Sequence, residues 1–201
     1  MNRLHLTQGS VVHSSVKIAG AKIVGLVEIG EGSRLAGPGV KVRAASKVTI
    51  GRFSTINGPN TDIVSLINPV TIGSFCSIAR NVSIQEFNHR YDRLSTYHMH
   101  HNIFKETRTS DLYSNGPVEI GNDVWVGTQC VITSGAKIGN GAVVAANSVV
   151  IGEVPPFAIV AGSPARVLKF RFDEARIKEI EAMQWWDWPI EKIKQHKQLF
   201  E

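Results

Sequence analysis

The sequence predicts an all-β solenoid, and three observations carry that prediction. The first is a six-residue period: stepping by six from Ile120 meets Val126, Ile132, Ile138, Val144 and Val150, all β-branched and apolar. The second is that small residues hold fixed places beside those stops. Gly121, Gly127, Gly139 and Ala145 follow directly, and Cys130, Ala136, Ala142 and Ser148 lie four positions on. The third is composition, since 18 glycines and 19% charged residues suit short strands and corners better than helices. A helix would space its apolar residues by three and four. A period of six fits one short strand and one corner, with the large residue inward and the small ones letting the chain turn close to the next coil. Such coils bury their inner faces only by stacking.

The period recurs upstream at Ile72, Ile78 and Ile84, at Ile50 and Ile56, and at Ile23, Ile29 and Leu35, with Ile18 out of phase. It breaks between positions 61 and 68. The solenoid is therefore expected over most of residues 10–165. A flat β-sandwich fits poorly, because its strands recur at roughly 8–12 residues.

Cys76 and Cys130 both take an inward phase, which predicts core filling and not a disulfide, a metal site or a nucleophile. The net charge is +5, yet there is no Lys/Arg run and no interleaving of basic and aromatic residues, so no nucleic-acid partner is expected. An anionic small ligand suits the same charge. No apolar run approaches the ~20 residues of a membrane span. The opening Met1-Asn2-Arg3-Leu4-His5 lacks an apolar leader core, so a cytoplasmic location is expected.

Between Ile84 and Val118 the repeat stops. An insert of this length inside a solenoid points to function or to subunit contact. Four of the seven histidines lie in it: His89, His98, His100 and His101. Histidine is the side chain suited to proton transfer near neutral pH. The three later ones crowd into four positions, which suits a tetrahedral zinc site poorly, so no metal is expected.

The repeats resemble the left-handed parallel β-helix of hexapeptide-repeat acyltransferases, whose left hand is implied by the family and not by the spacing. Asn88-His89 followed by Ser95-Thr96-Tyr97 resembles the active-site loop of the xenobiotic acetyltransferase branch, which includes chloramphenicol, streptogramin and polysaccharide O-acetyltransferases. That resemblance implies His89 as catalytic base, with Asn88 and Tyr97 against the acceptor. The branch usually continues with Pro-Phe after Ser-Thr-Tyr; this chain has His98-Met99. Glu86 or a loop carbonyl is expected to orient His89.

The segment Asp123-Val124-Trp125-Val126-Gly127-Thr128 resembles the branch's Asp-Val-Trp-Ile-Gly motif, and the phase puts Trp125 outward. The segment from Val154 to Arg166 resembles the terminal coil that holds coenzyme A. The resemblance implies acetyl-CoA as donor, bound by Trp125, Gly127, Thr128, Ala145, Ala146, Ile151, Gly152, Arg166 and Lys169, with the Thr128 amide on the oxyanion. It also implies a homotrimer of a bacterial protein. The long N-terminal run of coils before Ile50 points to the hydroxyl of a sugar as the expected acceptor, in the synthesis of a surface polysaccharide or its precursor. An antibiotic hydroxyl and a nucleotide-sugar amine are the alternatives.

The domain expected is a β-helix over residues 1–168, with an excursion loop at 85–117, and a short α-helical tail over 169–201. In that tail Ile177, Ile180 and Met183 keep helical spacing, Trp185-Trp186-Asp187-Trp188 forms a buried clamp as in the same branch, and Pro189 opens a second helix.

Overall fold

A computed structural model describes residues 3–201. Met1 and Asn2, the start of the segment read for a leader, lie outside the described residues. The chain winds into a left-handed parallel β-helix of about seven turns. Each turn lays one short strand on each of three faces, in register with the turn above. On the first face Ile72, Ile120 and Ile138 stack. On the second Ile78, Val126 and Val144 stack. On the third Ile84, Ile132 and Val150 stack. Three steps of six thus close one coil, and every residue on the period is buried.

Ile18, which breaks the six-residue phase, pairs with Leu35 and so continues the second face. The phase break after Thr61 is real in sequence and absent in register: Ile63 stacks between Val42 and Ile84 on the third face. The two coils from Ile29 to Ile72 are longer, with one extra residue at the corner between the second and third faces and two or three at the corner between the third and first faces. The insert leaves the solenoid at that same corner. Lengthening a coil there costs little, since the inward residue of each face still meets its partner above and below.

The core is one continuous column of Ile, Val and small residues. Cys76 and Cys130 sit in it as free, buried thiols. Burial pushes the Cys76 thiol up to about 12 and raises Cys130. Neither is a nucleophile in that state. Close stacking needs glycine where coils touch. A Cβ on Gly73 would stand 2.5 Å from the Gly121 carbonyl oxygen. Gly73→Ala is therefore expected to lower stability by about 1–3 kcal/mol. A urea midpoint equal to wild type would show that the two coils can part.

The insert is not structureless. The strand Asn88–His89 pairs antiparallel with Leu112–Tyr113, which closes the base of an arm. Helix α1 (Met99–Asn102) and a 3-10 turn at Arg108–Asp111 fill it. Phe87 and Leu112 pack on Val64 of the solenoid wall.

At the C-terminal end the strand Ala165–Phe170 folds back antiparallel on Ala158–Gly162, so it runs across the boundary expected at 168/169. Helix α2 (Glu174–Met183), capped by the Asp173 carboxylate, and α3 (Ile190–Gln195) follow. Trp186 is buried against Phe157 and Ile180. Trp185 meets Phe75, which in turn stacks on Phe53 at 5.3 Å between ring centroids. The Arg52 guanidinium donates to the carbonyls of Trp186 and Trp188. The tryptophans are thus a clamp, tying the tail to the solenoid wall.

Candidate active site

Two groups of residues stand out, and they occupy different corners. The corner between the second and third faces carries a groove of about 740 Å³ lined by Trp125, Gly127, Thr128, Ala145 and Ala146, with Ala79, Val143, Ile159, Asp123 and Arg171. Five of the residues expected at the cofactor therefore come together. Their common cause is the period: each follows, or immediately precedes, an inward residue of the second face. Trp125 points outward and is 56% exposed. Gly127 forms the floor, because a Cβ there would stand 2.7 Å from the Ala146 amide nitrogen. Among the described residues, the amides of Thr128 and Ala146 donate to no backbone acceptor. Free amides at the mouth of an apolar groove suit an amide-bearing or carbonyl ligand. The Thr128 hydroxyl itself donates to the Arg80 carbonyl, so only its main chain is available.

Ile151 and Gly152 do not join this groove. They turn the corner between the third and first faces, where the Gly152 carbonyl accepts from the Lys137 amide. Arg166 and Lys169 lie on the antiparallel strand, opposite Ala161 and Ile159 respectively. Ile159 is a wall of the groove, so Lys169 stands at its edge.

Arg171 was not foreseen, and Asp123 entered only as part of the motif around Trp125. Their side chains form an ion pair of 3.0 Å at the end of the groove. Burial raises the Asp123 carboxyl, and Arg171 only partly offsets that. The Arg171 guanidinium also donates to the Gly141 carbonyl and lies over the rings of Phe157 and Phe172. No periodic signal marks Arg171. Ala79 was legible, since it follows Ile78 as Gly127 follows Val126.

The second group is the arm, on the corner where Ile151 also lies. The His89 side chain is set by the backbone: its Nδ1 lies 2.9 Å from the Thr96 carbonyl oxygen. A carbonyl only accepts, so Nδ1 carries the hydrogen and Nε2 of the neutral ring carries the lone pair. Of the two orienting groups expected, the loop carbonyl is the one in place. Glu86 does different work. It is fully buried, and its carboxyl accepts from the amides of Leu66 and Ile67 and from Asn68 Nδ2. It pins the arm's exit to the coil above. Asn88 donates from Nδ2 to Ser134 Oγ at 2.7 Å, which ties the arm to the coil below. Tyr97 stands half-exposed beside Leu94 and Phe104 around a small apolar cavity.

His98 Nε2 lies 3.1 Å from His89 Nε2, with the rings edge to face. Burial, then His89 and Arg108, hold the His98 imidazole below its ordinary value. Asp111 fixes α1 by accepting from the amides of His100 and His101. Burial works to raise its carboxyl, but those two amides leave it lowered. His100 pairs with Glu106. Among the described residues, no group of three or more His, Cys, Asp or Glu side chains is placed to hold a metal ion.

A stacked parallel β-helix with an apolar corner groove and an arm bearing an oriented histidine defines a transferase of the hexapeptide-repeat class. The comparisons agree. Residues 117–152 match the family described as bacterial transferase hexapeptide (six repeats). WbbJ of Escherichia coli (strain K12), named for lipopolysaccharide biosynthesis O-acetyl transfer, is 34% identical over 157 residues, 77% of each chain. A chloramphenicol acetyltransferase of Morganella morganii is 40% identical over 134 residues, 64% of each chain. The chain thus spans under two thirds of that relative's length. The solved structure of the hexapeptide-repeat acetyltransferase VCA0836 of Vibrio cholerae, complexed with acetyl coenzyme A, is 30% identical with a TM-score of 0.58, over 72% of this chain and 70% of that one. The chain belongs to the hexapeptide-repeat acetyltransferase family.

Proposed function

We propose that the protein is an acetyl-CoA-dependent O-acetyltransferase that acetylates a sugar hydroxyl directly, without a covalent enzyme intermediate. The observation that carries this reading is the His89 ring, whose Nδ1 is fixed on the Thr96 carbonyl and whose Nε2 is left as the proton acceptor. His89 Nε2 takes the proton of the acceptor hydroxyl. The oxygen attacks the thioester carbonyl carbon, and the free Thr128 amide receives the oxyanion. The C–S bond then breaks, and the proton on His89 passes to the departing thiolate. Both cysteines are buried, which leaves no thiol to form an acyl-enzyme.

The groove around Trp125 and Ala146 is the seat proposed for the pantetheine arm. Lys169, at its edge, and Arg166 are proposed for the phosphates, which match their donors. His89 and Thr128 stand on different corners of one chain. A second copy, offering its groove to this arm, brings them together. We therefore propose a homotrimer in which each site is shared between neighbours, with Ile151 and Gly152 on the arm's side of it.

The sugar acceptor is favoured by the likeness to WbbJ, named for lipopolysaccharide biosynthesis O-acetyl transfer, which covers 77% of this chain against 64% for the chloramphenicol enzyme. A sugar precursor of a surface polysaccharide would be met in the bacterial cytoplasm. A second reading, an apolar antibiotic hydroxyl, is favoured by the exposed Leu94, Tyr97 and Phe104 on the arm. Free-thiol release from acetyl-CoA with panels of sugars and antibiotics tests both. Sugar-dependent release supports the proposal, antibiotic-only release replaces its acceptor, and no release with either panel overturns it. Trp125→Ala is expected to weaken acetyl-CoA binding about tenfold. Unchanged binding by calorimetry would remove this groove from the donor site.

A further inference from the structure

We propose that His98 is the latch of the acceptor site: its imidazole holds the proton-accepting nitrogen of His89 in the free protein, and the acceptor hydroxyl displaces it. The inference rests on reading His89 as the base. The Thr96 carbonyl fixes hydrogen on His89 Nδ1, so the neutral ring offers one in-plane lone pair, on Nε2. His98 Nε2 is 3.1 Å from that nitrogen. With both rings neutral, two lone pairs cannot bond, so His98 Nε2 carries the hydrogen and donates it in a bent contact, with the ring centroids 4.3 Å apart. A single lone pair cannot serve His98 and a substrate hydroxyl together, and catalysis therefore requires His98 to leave.

The structure gives it somewhere to go. His98 borders a cavity of about 220 Å³ whose other walls are His101, Asn102 and Arg108. Its backbone is fixed, because it precedes α1 and its carbonyl accepts from the amide of Asn102, the last residue of that helix, so the opening motion falls to the side chain. The charged and titratable groups facing His98 are His89, Arg108, Asp111 and His101. Three of these disfavour a proton on the ring, which keeps the latch neutral and lets it turn toward Arg108.

The test uses full-length wild type, His98→Ala and His98→Gln. A closed latch lowers apparent acceptor affinity in proportion to its closed population. His98→Ala is therefore expected to lower the acceptor KM about three- to tenfold at unchanged kcat, the range of one hydrogen bond. His98→Gln, which keeps a donor, is expected to stay near wild type. The second readout needs no turnover. Diethyl pyrocarbonate modifies the unprotonated imidazole nitrogen, and the tryptic peptide 81–90 contains His89 as its only histidine. Its modification is expected to accelerate severalfold in His98→Ala and not in His98→Gln. Equal modification rates in wild type and His98→Ala would overturn the latch, as would a raised KM with a fallen kcat. If wild type transfers no acetyl group, the reading of His89 as base fails, while the modification rates still decide the latch.

Discussion

His89→Ala is expected to lower kcat by about 10²–10⁴, the usual worth of a positioned general base. The alanine removes both the lone pair that takes the hydroxyl proton and the imidazolium that returns it to the thiolate. Stability should hardly change, because the side chain is exposed in the single chain and its one backbone bond is to the Thr96 carbonyl. Acetyl-CoA binding should also be preserved, since no arm residue lines the groove around Trp125. A variant that binds the donor normally, melts normally and still transfers acetyl at the wild-type rate would remove His89 from the chemistry.

Glu86→Ala is expected to destabilise the fold by about 2–4 kcal/mol, among the larger costs for a single change. Its carboxyl is fully buried and receives hydrogen bonds of 3.0 Å from Leu66, 2.8 Å from Ile67 and 3.0 Å from Asn68. Truncation strands three donors and leaves a void beside the arm. Partial access of water to Ile67 sets the upper limit. Glu86→Gln keeps one acceptor oxygen and should lose about half as much. A urea midpoint for Glu86→Ala within error of wild type would show that water replaces the carboxyl. Because Glu86 pins the exit of the arm, activity should fall in the alanine variant even where it remains folded.

The site was legible in sequence to the extent that it depends on the period. Trp125, Gly127, Thr128, Ala145 and Ala146 share one groove because residues at equal phase in successive coils are stacked neighbours. Ala79 obeys the same rule. Ile151 and Gly152 obey the period as well, yet they fall one corner away. Phase fixes whether a residue faces in or out, but the corner depends on counting three steps per coil. Arg171 reaches the groove from the antiparallel strand and its tail, where the repeat has ended, so nothing periodic announces it.

The sequence by itself determined the stacked core, the burial of both cysteines, the outward Trp125 and the break that carries His89. Each follows from local alternation of large, small and turn-forming residues, which a solenoid translates directly into contacts between adjacent coils. Tertiary structure alone decided that the Thr96 carbonyl and not Glu86 orients His89, that Asn88 bonds Ser134, and that His98 meets the Nε2 of His89. Those contacts are made by a non-repeating arm, within itself or against the coil below, where closure of the strand pair and the turn of α1 set side-chain directions. No spacing along the chain encodes them.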